Sequence, residues 1–518
     1  MTTSPARPAG SSRRSERFTY EGFEIDPGRS QLRCHYSLDG EEFCETVTMA
    51  GVDPLAWDLP GAKDASLWVF LLLGLSYYKA GAPRVVDLGD LGDLGDLGDL
   101  GDLGDLGDLG DLGDLALTVA DLDFLRECYL DGLGEFAFTN GLDLSDLVLE
   151  TRPAAVPEPS LRAIRAQRPT EGREGIADSA DTSSVGAVPP RPVMAEAARS
   201  VVTLPLVPFG GGIDSIVTAE LVRRLVGDAG TSLFVLSKQG DRYSAIEAPA
   251  SVTGLAIVRA ERALDNKILH SRDRGYLNGH VPVTAMISAI ATLAALLHGR
   301  DAVVMSNEAS ASAGNVEVEG RVVNHQWSKG LAFETGFRAA IARRDIPVEY
   351  FSLLRPASEL WVAKRFAALD KYHQVFRSCN RAFYVDPTLR LDTWCGECDK
   401  CCFIDLVLSP FMAREKLEAI FGGREPLGNS ALEGNFRALL GTASPSGTSS
   451  KPFDCVGDVP ECREALRMTA SRPDRAVTEL LHRLVGTLPD EGRNTEGLLR
   501  LSGPNYIPDA FSPADLLF

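Results

Sequence analysis

The stretch Val207-Pro208-Phe209-Gly210-Gly211-Gly212-Ile213-Asp214-Ser215 decides how this chain reads, because an apolar run enters three glycines and leaves through Asp-Ser into an amphipathic helix. Glycines carry no Cβ, so backbone N–H groups can approach an anion closely. The helix predicted to follow, with Val217, Leu221, Val222 and Leu225 at helical spacing, aims its positive dipole end at the same place. Together these features make a cradle for phosphate. No Gly-Lys-Ser/Thr follows, so the loop is not a Walker A motif, and its glycine spacing does not fit the dinucleotide fingerprint. The competing reading is a glycine turn that only joins a strand to a helix.

Outward from the loop, strand-like and helix-like patterns alternate. We read a strand over 201–209, a helix to about 227, strands over 233–237 and 254–259, a helix over 283–298 and a strand over 302–306. Such alternation predicts an α/β fold whose parallel sheet carries helices on both faces, and ligands of such sheets bind beyond the carboxyl ends of the strands. The glycine loop, Ser237-Lys238, Arg259 and Ser306-Asn307-Glu308 are expected at that edge.

Residues 1–17 are rich in Ser, Pro and Arg without an apolar core, which does not suit a cleavable signal and predicts a cytoplasmic protein. Residues 18–150 read as an N-terminal α+β domain, with strand signals at 18–20 and 46–49 and a helix over 66–79. Within it, residues 87–115 repeat Asp-Leu-Gly, fitting neither helix nor half-buried strand, and are expected to form an exposed low-complexity insert. Residues 151–198 lose apolar periodicity and read as a linker. A nucleotide domain over 199–355, a helical region with clustered cysteines over 356–440, and a loop with a helical tail over 441–518 complete the chain. The formal charge of -20 over 518 residues argues against a nucleic acid or an acidic membrane face as partner, although about ten of the aspartates lie in the repeat. The apolar run 281–297 is alanine-rich and broken by Thr284, Ser288 and Thr292, so it predicts a buried helix and not a membrane span.

The segment Trp394-Cys395-Gly396-Glu397-Cys398-Asp399-Lys400-Cys401-Cys402 sets cysteines at two successive CxxC spacings, with Cys379 upstream. Four thiolates make a closed tetrahedral zinc site, and Cys379, Cys395, Cys398 and Cys401 are the expected ligands. Cys402 could substitute for one of them, and an iron–sulfur cluster would use the same ligands. Two further stretches concentrate polar groups. His280, in Asn278-Gly279-His280-Val281-Pro282, precedes the alanine-rich helix, whose dipole should favour the neutral imidazole. Ser306-Asn307-Glu308 and Asn324-His325-Gln326-Trp327-Ser328-Lys329, with Glu334, add donors, acceptors and titratable groups, as a binding rim would.

The glycine loop resembles the pyrophosphate loop of the ATP pyrophosphatase superfamily, with Gly210 in place of that loop's leading Ser. Taken in order with Asn-Gly-His-Val-Pro-Val-Thr, Ser-Asn-Glu, Asn-His-Gln-Trp-Ser-Lys and Cys-Gly-Glu-Cys-Asp-Lys-Cys, it resembles the ATP-dependent UDP-N-acetyl-α-D-muramoyl-L-alanyl-L-glutamate epimerases of bacterial cell-wall synthesis. The likeness is specific over about 200–415 and looser over the N-terminal domain. It implies inversion of the terminal L-glutamate of UDP-MurNAc-L-Ala-L-Glu, through an acyl-adenylate formed from ATP with Mg²⁺, and functional coupling to a ligase that adds L-Glu to the muramoyl-L-alanine precursor. It places ATP on Gly210, Gly211, Gly212, Asp214 and Ser215, flanked by Ser237 and Lys238, and offers His280, His325, Lys329 and Glu308 as acid–base candidates. Two other readings stand beside it: a carboxylate-adenylating enzyme like 7-cyano-7-deazaguanine synthase, and a non-catalytic zinc-ribbon interaction module.

Overall fold

Along β6 (Pro205–Pro208), β7 (Ser232–Lys238) and β9 (Ala302–Met305), residues alternate between two hydrophobic cores. Leu206, Phe234 and Val303 enter one, while Val207, Leu233, Val235 and Val304 enter the other. Strands buried on both faces read as continuous apolar runs, which is how they appear in the sequence. The computed structural model describes residues 14–89, 116–151, 202–318, 320–384, 386–442, 454, 456–490 and 494–511. The strands are β1 (Arg17–Asp26), β2 (Gln31–Leu38), β3 (Glu41–Met49), β4 (Val85–Asp87), β5 (Val148–Glu150), β6 (Pro205–Pro208), β7 (Ser232–Lys238), β8 (Ala256–Ala263), β9 (Ala302–Met305), β10 (Val316–Val318), β11 (Arg321–Val323) and β12 (Glu349–Ser352).

Ten of them form one sheet in the order β12-β9-β6-β7-β8-β3-β2-β1-β4-β5, and β10 and β11 make a separate hairpin. The sheet is mostly parallel: β12, β9, β6, β7 and β8 run together, β3, β2 and β1 form an antiparallel meander, and β4 and β5 return parallel to β1. The stretches 18–150 and 199–355 meet where β3 pairs with β8, Thr46 opposite Ala263 and Met49 opposite Ala260. A buried ion pair, Arg262 Nε to Glu45 Oε1 at 2.6 Å, spans the same junction.

The helix Val283–Leu297 is buried along nearly its whole length and packs on the helix Ala62–Leu73, so the longest apolar run is interior. Among the described residues no helix is long and apolar enough to cross a membrane. On the opposite face the helix Ile213–Gly230 shares its core with Glu359–Phe366, Asp399–Leu408 and Val459–Ala470. The cysteine-bearing region thus lies on the same side of the sheet as the glycine-loop helix.

Two expectations need correction. The Asp-Leu-Gly tract does not begin as exposed loop: Asp87 ends β4 and accepts a charged bond from Arg17 at 2.6 Å, and Leu88 is fully buried. Residues 90–115 of that tract, and the linker over 152–198, lie outside the described residues. Arg259, expected beyond its strand, sits inside β8 because pairing with β7 continues to Arg262; it grips Glu247 with bonds of 2.7 and 2.8 Å.

Candidate active site

The glycine loop leaves β6 at the edge where the parallel strands end. Gly211 has φ +77°, and a Cβ there would stand 2.2 Å from the carbonyl oxygen of Ala245, so this position needs glycine for its backbone and for its neighbour. Gly212 is extended and opens the helix Ile213–Gly230, with Asp214 and Ser215 in the first turn. The Ser215 hydroxyl donates back to the Gly212 carbonyl at 3.1 Å. On the adjacent strand, Ser237 is buried and accepts from Arg242 at 3.3 Å, and Lys238 closes β7 half-buried.

Asp214 does not stand alone. One carboxylate oxygen from each of Asp214, Glu308 and Glu359 falls within 4.8 Å of the others. Glu308 follows β9 and Glu359 opens the helix after β12, so three strand ends deliver them. Burial, then the Glu308 charge, pushes the Asp214 carboxyl up to about 6 against the partial relief of Lys400 and Lys329. Burial and its two acidic neighbours likewise drive Glu359 well above the carboxylate range. Asp214 Oδ1 is buried without a hydrogen-bond partner. Three converging hard oxygens whose charge the lysines offset only in part suit a divalent cation of the magnesium type.

A buried ion pair holds this arrangement in place. Arg355 Nε meets Glu334 Oε2 at 2.8 Å, and its other nitrogens donate to the carbonyls of Glu308 at 2.9 Å and Lys329 at 2.6 Å. Glu334, which read as a rim residue, is thus scaffold, and Arg355 fixes the backbone of two acid–base candidates at once.

The structure brings His280 and His325 together. Their ring centroids lie 4.3 Å apart, and Glu135, which the sequence did not single out, joins them: it contacts His325 Nδ1 directly and lies 3.9 Å from His280 Nδ1. Lys79 donates to Asn278 at 3.1 Å and to the Gly279 carbonyl at 3.2 Å, and Asn140 donates to the Asn278 carbonyl at 3.1 Å, so the N-terminal stretch pins the loop that carries His280. His280 is lowered to about 4, as the sequence suggested in direction, but the causes are burial and the neighbouring His325. Lys329 belongs instead with the carboxylates, whose charge it offsets. Only Gln326, Trp327 and Ser328 therefore separate the two clusters along the chain.

The four expected cysteines converge. Cys379, Cys395, Cys398 and Cys401 have their sulfurs within 4.8 Å of one another, while Cys402 packs into the core. The N–H groups of Glu397 and Cys398 point at Cys395 Sγ at 3.5 and 3.4 Å. Bonds from Cys398 and Cys401 hold the Cys379 thiol at about 3, so a thiolate is favoured there. Cys462 is buried, and Cys455 lies outside the described residues.

A family model described as the MurL N-terminal domain matches residues 10–94 and 111–353, and one described as the MurL C-terminal domain matches 375–498. The chain belongs to the MurL family. The first match breaks between 94 and 111, inside the Asp-Leu-Gly tract, so the repeat is an insertion on a MurL framework. Proteins named UDP-N-acetyl-alpha-D-muramoyl-L-alanyl-L-glutamate epimerase are similar to it over most of both chains. The one from Xanthomonas oryzae pv. oryzae is 34% identical over 92% of this chain and 91% of the relative. Those from Micromonospora sp. and Salinispora tropica are 33% and 31% identical, each over 97% of this chain and 98% and 96% of the relative. Glu135, His280 and His325 lie wholly in the first match; Asp214 and Glu308 lie there too, while Glu359 falls between the two matches and Lys400 lies in the second.

Proposed function

We propose that this chain inverts the terminal L-glutamate of UDP-MurNAc-L-Ala-L-Glu to D-glutamate, activating the carboxylate with ATP, in the cytoplasmic stage of peptidoglycan synthesis. The shared name of the relatives supports the substrate and the inversion, and favours this reading over a deazaguanine synthase or an interaction module. One observation carries the energy source: Asp214, in the first turn of the helix after the glycine loop, converges with Glu308 and Glu359. The resemblance of the loop to the pyrophosphate loop supports the same seat for ATP.

The α-proton beside a carboxylate is hard to remove, since a second negative charge would form on the same small group. In the proposed reaction a substrate carboxylate oxygen bonds to the α-phosphorus of ATP and pyrophosphate leaves. The carbonyl of the resulting acyl-adenylate can then accept the electron pair released when a base takes the α-proton. A proton returned to the other face inverts the centre, and water releases AMP and the D-glutamyl product. Asp214, Glu308 and Glu359 would hold Mg²⁺, which supplies charge neutralisation on the phosphates.

The rings of His280 and His325 are in contact, so no carbon fits between them, and they serve one face. Lys329, beyond the short connecting segment, is the candidate for the other. Glu135 fixes the His325 ring through Nδ1, and His280 is unprotonated at neutral pH and competent to accept a proton. The substrate requires prior attachment of L-Glu by a muramoyl-L-alanine ligase. The test is incubation with UDP-MurNAc-L-Ala-L-Glu, ATP and Mg²⁺ in D₂O. Deuterium at the glutamate α-carbon with D-Glu on acid hydrolysis is expected; AMP release without exchange would leave activation standing and remove the epimerisation.

A further inference from the structure

The glycine loop has no side-chain hydroxyl or cation between Phe209 and Asp214, and the side chains nearest Asp214 include two further acids. A triphosphate seated there needs positive charge and donors from elsewhere. One segment of the C-terminal half lies directly against the loop. The Arg377 N–H donates to the Gly211 carbonyl at 3.4 Å, and Ser378 Oγ comes so near that a Cβ on Gly212 would stand 2.9 Å from it. Arg377 Nη1 donates to the Val375 carbonyl at 3.2 Å, while its Nε is buried with no partner. A buried guanidinium N–H left unmet is costly, and an oxyanion on the loop would meet it.

The next residue is Cys379. Its sulfur accepts the N–H of Cys395 at 3.4 Å, and Cys401 Sγ lies 3.6 Å from that of Cys395 and 3.5 Å from that of Cys398. A tetrahedron of sulfurs at about 2.3 Å from one zinc ion has edges of about 3.8 Å. All four sulfurs lie within 4.8 Å of one another, a spacing that suits one ion better than a multi-iron cluster. Through Cys379, a metal there would anchor the backbone that carries Arg377 and Ser378.

We propose that a metal ion held by Cys379, Cys395, Cys398 and Cys401 clamps Arg377 and Ser378 against the glycine loop, where they complete the phosphate seat from the C-terminal half. This rests on the loop taking ATP. The Arg377 guanidinium supplies charge, the Ser378 hydroxyl supplies a donor beside Gly212, and the metal spares the nucleotide the entropy of ordering them.

The full-length protein, purified without chelator, is assayed for metal by atomic emission and titrated calorimetrically with ATP and Mg²⁺. One zinc per chain is expected. Arg377→Ala should weaken ATP binding about tenfold or more and Ser378→Ala about fivefold, with Arg377→Lys recovering part of the loss. Thermal melts of the two variants should match the parent, since neither side chain is a metal ligand. Cys398→Ser should weaken ATP to about the level of Arg377→Ala, and adding Arg377→Ala to it should cost little more, because the two act through one arrangement. Parent-like ATP binding, within about twofold, in both Arg377→Ala and Ser378→Ala overturns the proposal. Metal-free protein that binds ATP as well as the zinc form overturns the clamp. No ATP uptake by the parent protein instead overturns the nucleotide reading on which the proposal stands.

Discussion

Two clusters stand at the ends of the segment His325 to Lys329, and burial acts on them in opposite directions. In Glu135, His280 and His325 it drives a base down, leaving His280 neutral at neutral pH. In the acidic cluster it drives Asp214 and Glu359 up, so that Asp214 reaches about 6. The physical cause is the same, since a low-dielectric site disfavours whichever form is charged. The first cluster keeps an acid next to a base and can pass a proton without a net change in its charge. The second has several acids with only partial relief from lysines, and is relaxed by a cation. On the proposed reading a proton-handling site and a phosphate-handling site share one scaffold, and Arg355 links them by gripping the backbones of Glu308 and Lys329.

Substitutions that strike one cluster at a time test this division. The largest effect is expected from Asp214→Asn, which removes a ligand from the cation seat. Both ATP–pyrophosphate exchange and epimerisation should fall on the order of 10³-fold, since a metal on the phosphates contributes several kcal/mol of charge stabilisation. Retained pyrophosphate exchange would show that the acids do not serve the nucleotide. His280→Ala should split the two activities. Deuterium incorporation at the α-carbon should drop by about 10²-fold or more, the usual contribution of a placed proton carrier, with pyrophosphate exchange close to that of the parent. A parallel loss of both would mean that the clusters are not separate in function.

The elements around the glycine loop were legible in the sequence because their signals are local. The glycine triplet, the apolar strand before it and the periodic helix after it lie in one short stretch, and β6, β7, β9 and the Val283–Leu297 helix appear close to where the patterns put them. The convergence of Cys379, Cys395, Cys398 and Cys401 was legible through their spacing. Glu135, Glu359, Arg355, Arg377 and Ser378 were not, because nothing in their immediate neighbours distinguishes them from surface charge or capping residues. Their roles come from pairings far apart in the chain, such as Glu135 with His325 and Arg377 with Gly211. Lys400 carried a usable hint, lying inside the cysteine motif on the helix Asp399–Leu408. The shared sheet escaped notice because pairing of β3 with β8 depends on tertiary register, which an alternating pattern leaves open.

The acidic cluster also predicts a pH signature. The Asp214 carboxyl is raised from 3.8 to about 6 in the fold, so the folded state holds its proton more tightly than the unfolded chain. Its stabilising contribution is full below the unfolded value and is lost as pH rises through the folded one. Metal-free parent protein should therefore lose melting temperature relative to Asp214→Asn between about pH 4 and 6, by a few degrees, and added Mg²⁺ should restore the parent at pH 7 but not the variant. A difference between the two that is flat with pH would mean that solvent or a neighbour already compensates the charge.

The smallest expected effect is the most particular to the loop. A Cβ at Gly210 meets no heavy atom within 4 Å, whereas Gly211, one residue on, has both a positive φ and the Ala245 carbonyl in the way. Glycine is therefore required at 211 and only permitted at 210. Gly210→Ser introduces the serine that opens the pyrophosphate loop this one resembles, and should change stability by no more than about 0.5 kcal/mol, as at other unencumbered sites. If Ser378 already supplies the loop's hydroxyl, the new one is redundant and ATP affinity should stay within about twofold of the parent. In a Ser378→Ala background the same Gly210→Ser change should recover affinity, since the new hydroxyl then fills the role that Ser378 has lost. A gain as large in the parent as in the Ser378→Ala protein would show that the hydroxyl of Ser378 does not reach the phosphates.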